Sequence, residues 1–526
     1  METMKRMAGV LLALVMALAL TVPAFAADTY SITIKNSTEG HTYEAYQIFA
    51  GDLAETTTGV GENATTTKVL SNIVWGSGIS EAGKTALGDA AAKAETLKTE
   101  ANAKAFAKEV APYLTTAAGS ANTVTGGKYV ISGLAAGYYL VKDQDSSLTG
   151  DNDVYTDYII RVVSNTTAEP KSSMPKVEKK TKDTNDSTGE TSGWQDSADY
   201  DIGDSVPFQL EATLAANVSS YTTYKVVFHD TLSEGLTYND DAKVYIGGTE
   251  TTGFTVTSTV NADGTTTLTV SCDDVKALGA GNSSVITVEY TATLNNSASV
   301  KNENEVYLEY SNNPNKSESG NNETGNTPED TVVVFTYKTI IDKVTKNPNY
   351  DSKVEGSQEY IPLTGAEFTL EKFYKGNKPA GTSYEEVKEG DTVIGYWKPI
   401  TVVKNDEGTT FTFSGLDDGK YRLTETTTPA GYNTIDPIEF TITAEHDVLS
   451  DDPALTSLSG NATGGEITFT SNTTAGSLSA NVVNNAGAVL PETGGMGTTL
   501  FYILGSVLAL GAGVLLVVKK RMGADK

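Results

Sequence analysis

Three polar residues near the C-terminal end of this 526-residue chain keep step with apolar neighbours. Lys343 alternates with Phe335, Tyr337 and Ile341, Glu425 with Tyr421 and Leu423, and Asn484 follows Leu478, Ala480 and Val482. Alternate residues of a strand share a face, so all three should turn into a core, where an unpaired charge costs several kcal/mol. Two chemistries are open to a lysine, an acid and an asparagine that meet there. One is a buried ion pair beside an amide. The other is amide formation, in which the lysine amine attacks the asparagine side-chain carbonyl and ammonia leaves. Desolvation lowers a lysine pKa and raises a carboxyl pKa by up to ~3 to 5 units. A neutral amine can then act as nucleophile while a protonated acid polarises the carbonyl and relays protons. Such a reaction happens once and needs no cofactor.

The same arrangement recurs earlier in the chain. Lys179 is in phase with Val177, Asp230 with Tyr224, Val226, Phe228 and Leu232, and Asn304 with Val306, Leu308 and Tyr310. Lys180 points to the opposite face from Val177, whereas Asn302 shares the phase of Asn304, and spacing alone leaves both asparagines open. The first third of the chain shows no comparable set, and no cross-link is expected there.

Other reactive residues fall into no constellation. The histidines, His41, His229 and His446, are far apart and match no metal spacing. The acidic stretch from Asp143 to Asp157 lacks the EF-hand pattern and is read as a solvated turn rather than a calcium loop. Cys272 is the single cysteine, so no internal disulfide is available; its alternation with Leu268 and Val270 places it in a core. No Ser/His/Asp set, zinc motif or cofactor loop supports an enzyme. No metal or cofactor is expected.

The elements that must carry these residues are mostly strands. Thr and Val alternations broken by Gly, Asn and Asp turns dominate 173–331 and 332–488, and both read as β-sandwiches. The unit 27–172 opens with the alternation Tyr30, Ile32, Ile34. Between Ser80 and Leu114 it carries Leu87, Ala91, Ala94, Leu97, Ala101, Ala105 and Phe106 at helical spacing, so one or two amphipathic helices should lie on its sheet. The stretch from Ser311 to Pro328, rich in Asn, Ser, Glu and Gly, is expected to be a linker or a long solvated loop. A formal net charge of −29 argues against nucleic-acid or anionic-membrane partners.

Both ends speak of export. Residues 1–26 have the basic, apolar and small-residue zones of a signal peptide, with cleavage expected after Ala26. In the segment 489–526, an apolar run from Thr499 to Val518 is long enough to span a bilayer at ~1.5 Å per residue. Lys519, Lys520 and Arg521 follow and would hold its end on the cytoplasmic side.

Family resemblance adds to this reading. The sequence Leu490-Pro491-Glu492-Thr493-Gly494 resembles the sorting signal of sortase substrates, which implies cleavage between Thr493 and Gly494 through a thioester on the sortase cysteine. Tyr421-Arg422-Leu423-Thr424-Glu425-Thr426-Thr427-Thr428-Pro429-Ala430-Gly431-Tyr432 resembles the E-box of Gram-positive pilins. Gly365-Ala366-Glu367-Phe368, following Ile341-Asp342-Lys343-Val344, is similar to the opening of a Cna protein B-type domain. The resemblance implies a Lys343 to Asn484 isopeptide bond with Glu425 as the assisting acid. The middle unit resembles the Cna protein A-type domain of the same pilins, which implies a Lys179 to Asn304 bond assisted by Asp230. Gly137-Tyr138-Tyr139-Leu140 has the look of an E-box strand without its glutamate.

Glu169-Pro170-Lys171 stands where sortase-joined pilins carry a motif ending in Tyr-Pro-Lys. This implies that Lys171 is joined to the Thr493 carbonyl of a neighbouring copy. Glutamate replaces the tyrosine and the upstream tryptophan is missing, so Lys176 competes for the role. The expectation is a mainly β chain of tandem immunoglobulin-like, Cna-type sandwiches with helices added to the first domain. It would be the shaft subunit of a sortase-polymerised, wall-anchored pilus that supports adhesion. Implied partners are its own copies, a pilus-specific sortase, a wall-anchoring sortase, peptidoglycan and a tip adhesin. A monomeric wall-anchored adhesin is the alternative.

Overall fold

The computed structural model describes residues 29–58, 65–148, 153–156, 159–162, 165–170, 173–320, 322–376, 378, 383–401, 403–405, 407–463, 467–487 and 496–522. The fold is mainly β: sandwich domains in tandem, with the α-helices among the described residues confined to the first apart from the C-terminal one.

In the first unit, Thr65–Trp75, Tyr43–Thr58, Tyr138–Asp143 and Ile159–Val162 form one sheet in that order, and Tyr30–Ile34 lies between Tyr129–Leu134 and Thr166–Ala168 in another. Three short helices, rather than one or two, cover the larger sheet: Glu81–Leu87, Ala90–Glu95 and Glu100–Val110. Side chains of Ser80, Asp89 and Thr99 cap their N-termini by accepting backbone N–H bonds. Gly88, at φ 80°, ends the first helix in a conformation that disfavours other residues. Phe106, Ala107 and Val110 bury the last helix against Ile48, Phe49 and Leu140.

The middle unit encloses one core between two sheets. The first runs Ser197–Asp199, Asp330–Phe335, Lys301–Ser311, Val226–Leu232, Thr266–Cys272 and Thr255–Val260. The second runs Thr249–Thr251, Lys243–Ile246, Val285–Leu294, Ser205–Thr213 and Lys176–Thr181. Cys272 is half-buried and packs at the margin of this core. The strand Asp330–Phe335 straddles position 331/332, completing the middle sheet before the chain turns into Tyr337–Lys346.

The stretch from Ser311 to Pro328 is neither a linker nor a solvated loop. Thr324–Asn326 pairs with the end of Lys301–Ser311, and Asn312, Asn313, Ser317 and Thr327 are buried. The Asn312 and Asn315 side-chain amides donate to the backbone carbonyls of Asp153 and Thr156 in the first unit, at 3.2 and 3.0 Å. Hydrogen bonds rather than apolar surface order this segment.

The third unit pairs Tyr337–Lys346 with Thr410–Leu416 on one side and, in parallel, with the last strand Ser477–Val483 on the other. Its second sheet runs Glu385–Glu389, Thr392–Ile400, Glu367–Lys375, Gly419–Thr427, Ile438–His446 and Leu455–Ala462. Phe368, Leu370, Tyr421 and Leu423 from this sheet meet Ile341, Phe411, Phe413 and Val482 from the first in one core. A helix, Met496–Met522, follows, with Phe501–Lys520 long and apolar enough to cross a membrane at a mean hydropathy of 2.4.

Candidate functional site: buried lysines facing acids and asparagines

The parallel pairing of the first and last long strands of the third unit places Lys343 opposite Val482, one step from the strand end where Asn484 follows. The Asn484 N–H donates to the Val344 carbonyl at 3.1 Å, fixing the backbone there. Lys343 Nζ then donates to Asn484 Oδ1. Glu425 enters from the opposing sheet, its Oε1 3.0 Å from Lys343 Nζ and accepting from Asn484 Nδ2 at 2.9 Å. Its other oxygen accepts from the Ile435 N–H and the Thr428 hydroxyl, each at 3.2 Å, which holds the carboxylate in place. Lys343 and Asn484 are fully buried. Phe368 covers the ammonium, its ring centroid 5.3 Å from Nζ. Burial pushes the Lys343 amine below its usual range against the pull of Glu425.

In the middle unit the lysine comes from the opposite sheet to the acid. Lys179 pairs with Leu210 in one sheet, while Asp230 lies across from Val306 in the other, with Asn304 beside Leu232. Lys179, Asp230 and Asn304 are all fully buried. Lys179 Nζ bonds to Asp230 Oδ1 and lies 3.3 Å from the Tyr290 hydroxyl. That hydroxyl donates to Asp230 Oδ2 at 2.5 Å and accepts from Asn304 Nδ2 at 2.8 Å. Asp230 and Asn304 are therefore joined through Tyr290. Asn304 Oδ1 is buried without a hydrogen-bond partner. Burial pushes the Lys179 amine down and the Asp230 carboxyl up, each against the attraction of the other.

Asn302 is held elsewhere. Its amide donates to the Ser299 and Val334 carbonyls at 2.8 and 3.0 Å, and its oxygen accepts from the Ser299 N–H at 3.0 Å. Lys180 faces away from the core and pairs with Asp196. Lys176 is exposed at the start of its strand, beside an open groove lined by Pro175, Thr327, Pro328 and Asp330. Lys171 and the residues Leu490, Pro491, Glu492, Thr493 and Gly494 lie outside the described residues. In the first unit, Asp143 is buried and accepts from the Thr156 N–H at 2.6 Å, with His41 Nδ1 at 2.7 Å, so it belongs to the core rather than to a solvated turn.

Sequence reasoning missed two buried polar groups in these cores. Tyr290 is in phase with Ile286, Val288 and Ala292 and reads as ordinary core. Lys372 alternates with Phe368 and Leu370, a signal of the same kind as Lys343, and is fully buried. Its environment differs: Nζ lies 2.6 Å from Asp201, 2.8 Å from Asp417 and 3.2 Å from Asp186. Burial works against its charge, but Asp201 and Asp417 outweigh it and hold the ammonium well above its usual range. A lysine kept charged is no nucleophile.

Comparisons with known proteins bear on the same regions. Residues 202–314 match the family described as Gram-positive pilin backbone subunit 2, Cna-B-like domain, where the sequence resemblance points to the A-type. Residues 352–452 match the SpaA prealbumin-like fold domain, and 482–522 match the LPXTG cell wall anchor motif. A search of curated proteins gave no significant match. Among solved structures, the T6 backbone pilin of serotype M6 Streptococcus pyogenes superposes with a TM-score of 0.51 at 17% identity, over 88% of this chain and 99% of that one. That likeness shows a shared fold. The full-length major pilin SpaD from Corynebacterium diphtheriae gives a TM-score of 0.46 at 17% identity, over 88% and 98% of the two chains. The chain therefore carries, in this order, a Gram-positive pilin backbone domain, a prealbumin-like domain and an LPXTG cell wall anchor motif, on a fold shared with a backbone pilin.

Proposed function

We propose that the chain is the shaft subunit of a sortase-polymerised pilus and that it stiffens itself with two internal amide bonds, Lys343 to Asn484 and Lys179 to Asn304. The observation that carries the reading is the pair of fully buried lysines, Lys343 against Glu425 and Asn484, and Lys179 against Asp230 with Asn304 reached through the Tyr290 hydroxyl. The neutral amine attacks Cγ of the asparagine, the N–Cγ bond forms, and the Cγ–Nδ2 bond breaks. One proton passes from the lysine nitrogen to the departing nitrogen, which leaves as ammonia. Glu425, bonded to Asn484 Nδ2, carries that proton in the third unit. Asp230 carries it in the middle unit through the Tyr290 hydroxyl, the group that touches Asn304 Nδ2.

Between subunits, Lys171 attacks the thioester formed at Thr493 after a pilus-specific sortase cuts before Gly494, and Lys176 is the competing nucleophile. A wall-anchoring sortase then joins the finished fibre to peptidoglycan, and a tip adhesin and host attachment complete the picture. The expected readout is a detergent-resistant ladder of masses in wall extracts. A single band at the size of one subunit would point to the monomeric surface adhesin instead.

A further inference from the structure

The segment 183–202, which joins the middle sheet through Ser197–Asp199, also straps over loops of the third unit. Ser187 Oγ accepts from the Lys420 N–H and donates to the Phe373 carbonyl, both at 2.8 Å. The Asp417 N–H donates to Asp201 at 2.9 Å, and Asn185 donates to Asp418. Gly419, at φ 141°, lets the loop approach closely, since a Cβ there would sit 2.6 Å from Ser187 Oγ.

This junction gathers far more negative than positive charge. Asp183, Asp199, Asp201 and Asp186 come from the strap, and Asp417 and Asp418 from the third unit. Lys372 and His446 lie among them, with Lys398 also acting on Asp186, and Lys372 is already engaged by Asp186, Asp201 and Asp417. His446 Nε2 reaches Asp199 Oδ1 only at 3.7 Å. Oxygens of Asp199, Asp417 and Asp418 lie within 4.8 Å of one another. That is the spread of ligands around one ion with bonds of about 2.3 to 2.6 Å.

A second observation stands apart from the acidic cluster. Tyr337, 1% exposed on the neighbouring strand, has a hydroxyl without a hydrogen-bond partner that faces Asp199, Asp417 and Asp418. Asp417 Oδ1, on the side of the carboxylate away from Lys372, is likewise buried and unpartnered. Two orphan oxygens thus lie beside the carboxylates of Asp199 and Asp418.

The geometry points to a divalent, oxygen-seeking cation of the calcium class, held by Asp199, Asp417 and Asp418 beside Tyr337, which locks the middle unit to the third. The all-oxygen set disfavours softer metals. Its irregular arrangement on two separate units suits calcium better than the near-octahedral demands of magnesium. The ion supplies the charge that the strap and the loop at 417–418 lack, so the junction closes fully only when it is bound.

The test uses the full-length chain in mild detergent, stripped with chelator and then titrated with calcium or magnesium chloride, read by scanning calorimetry and equilibrium dialysis. One calcium ion bound per chain and a melting transition raised by several degrees are expected, with a weaker response to magnesium. Asp418→Asn removes a repelling charge, so this variant should melt at or above the stripped wild type and lose the calcium response. Absence of a calcium-dependent shift in the wild type would overturn the proposal. So would an equal shift in Asp418→Asn.

Discussion

Lys343 and Asn484 are separated by 141 positions in the chain, yet the lysine ammonium donates to the asparagine oxygen inside a core closed to solvent. The parallel pairing of Tyr337–Lys346 with Ser477–Val483 brings them together, so a bond between them staples the first long strand of the unit to the last.

Glu425→Ala should leave Lys343 and Asn484 unjoined. A cross-link closing a loop of this order stabilises by ~5 kcal/mol when native strain is small. The variant is therefore expected to retain its fold but melt lower, and its deficit from its own sequence mass should be one ammonia smaller than the deficit of the wild type. Unchanged mass and melting temperature would make Glu425 a structural residue.

Tyr290→Phe separates the roles of acid and relay in the middle unit. It keeps the ring packing against Phe208 but removes the hydroxyl linking Asp230 to Asn304. The bond should form slowly or incompletely, which a time course of intact mass after refolding would show. Asp230→Ala should block it altogether and destabilise further, by ~3 to 5 kcal/mol, because Lys179 is left buried without its partner. Wild-type kinetics in Tyr290→Phe would remove the hydroxyl from the mechanism.

How much of this was legible beforehand depended on what orders each residue. Alternation with apolar neighbours revealed Lys343, Glu425, Asn484, Lys179, Asp230 and Asn304, because a strand's two faces are written directly in its sequence. The same rule hid Tyr290, whose ring is core and whose hydroxyl is chemistry. Asn302 and Asn304 share one face of one strand, and their partners differ only in three dimensions: Ser299 and Val334 for Asn302, and Tyr290 on the opposing sheet for Asn304. The strap at 183–202 has no apolar period. Pairing of Ser197–Asp199 in its own sheet and hydrogen bonds to another unit order it, as hydrogen bonds order the segment after Ser311, and composition alone reads such stretches as loops.

The junction acids set a pH dependence of definite sign. Burial, reinforced by Asp199 and Asp418, pushes Asp183 up to about 7, and burial with Asp199 pushes Asp418 up to about 6. Folded-state values above the unfolded ones mean that the native state binds more protons. This stabilisation is full below the unfolded carboxyl range and is lost as pH rises through about 6 to 7. His446, raised by Asp199 against its burial, acts in the same direction. In chelator, melting temperature should fall as pH climbs through that window, and Asp183→Asn should flatten the curve. A profile that is flat in the wild type would contradict the charge assignment.

If Lys171 is the linking residue, Lys171→Ala should abolish the wall-extract ladder while leaving the internal bonds and wall attachment in place, because Lys179 and Lys343 are buried beyond the reach of an enzyme-bound thioester. A ladder lost in Lys176→Ala but kept in Lys171→Ala would transfer the linking role to Lys176.

The intact mass of the mature chain after export tests the central claim most directly. Two internal bonds predict a value below the sequence mass by two molecules of ammonia, one restored in Glu425→Ala and the other in Asp230→Ala. A wild-type chain at its full sequence mass would contradict the account, and the buried lysines would then be ion pairs only.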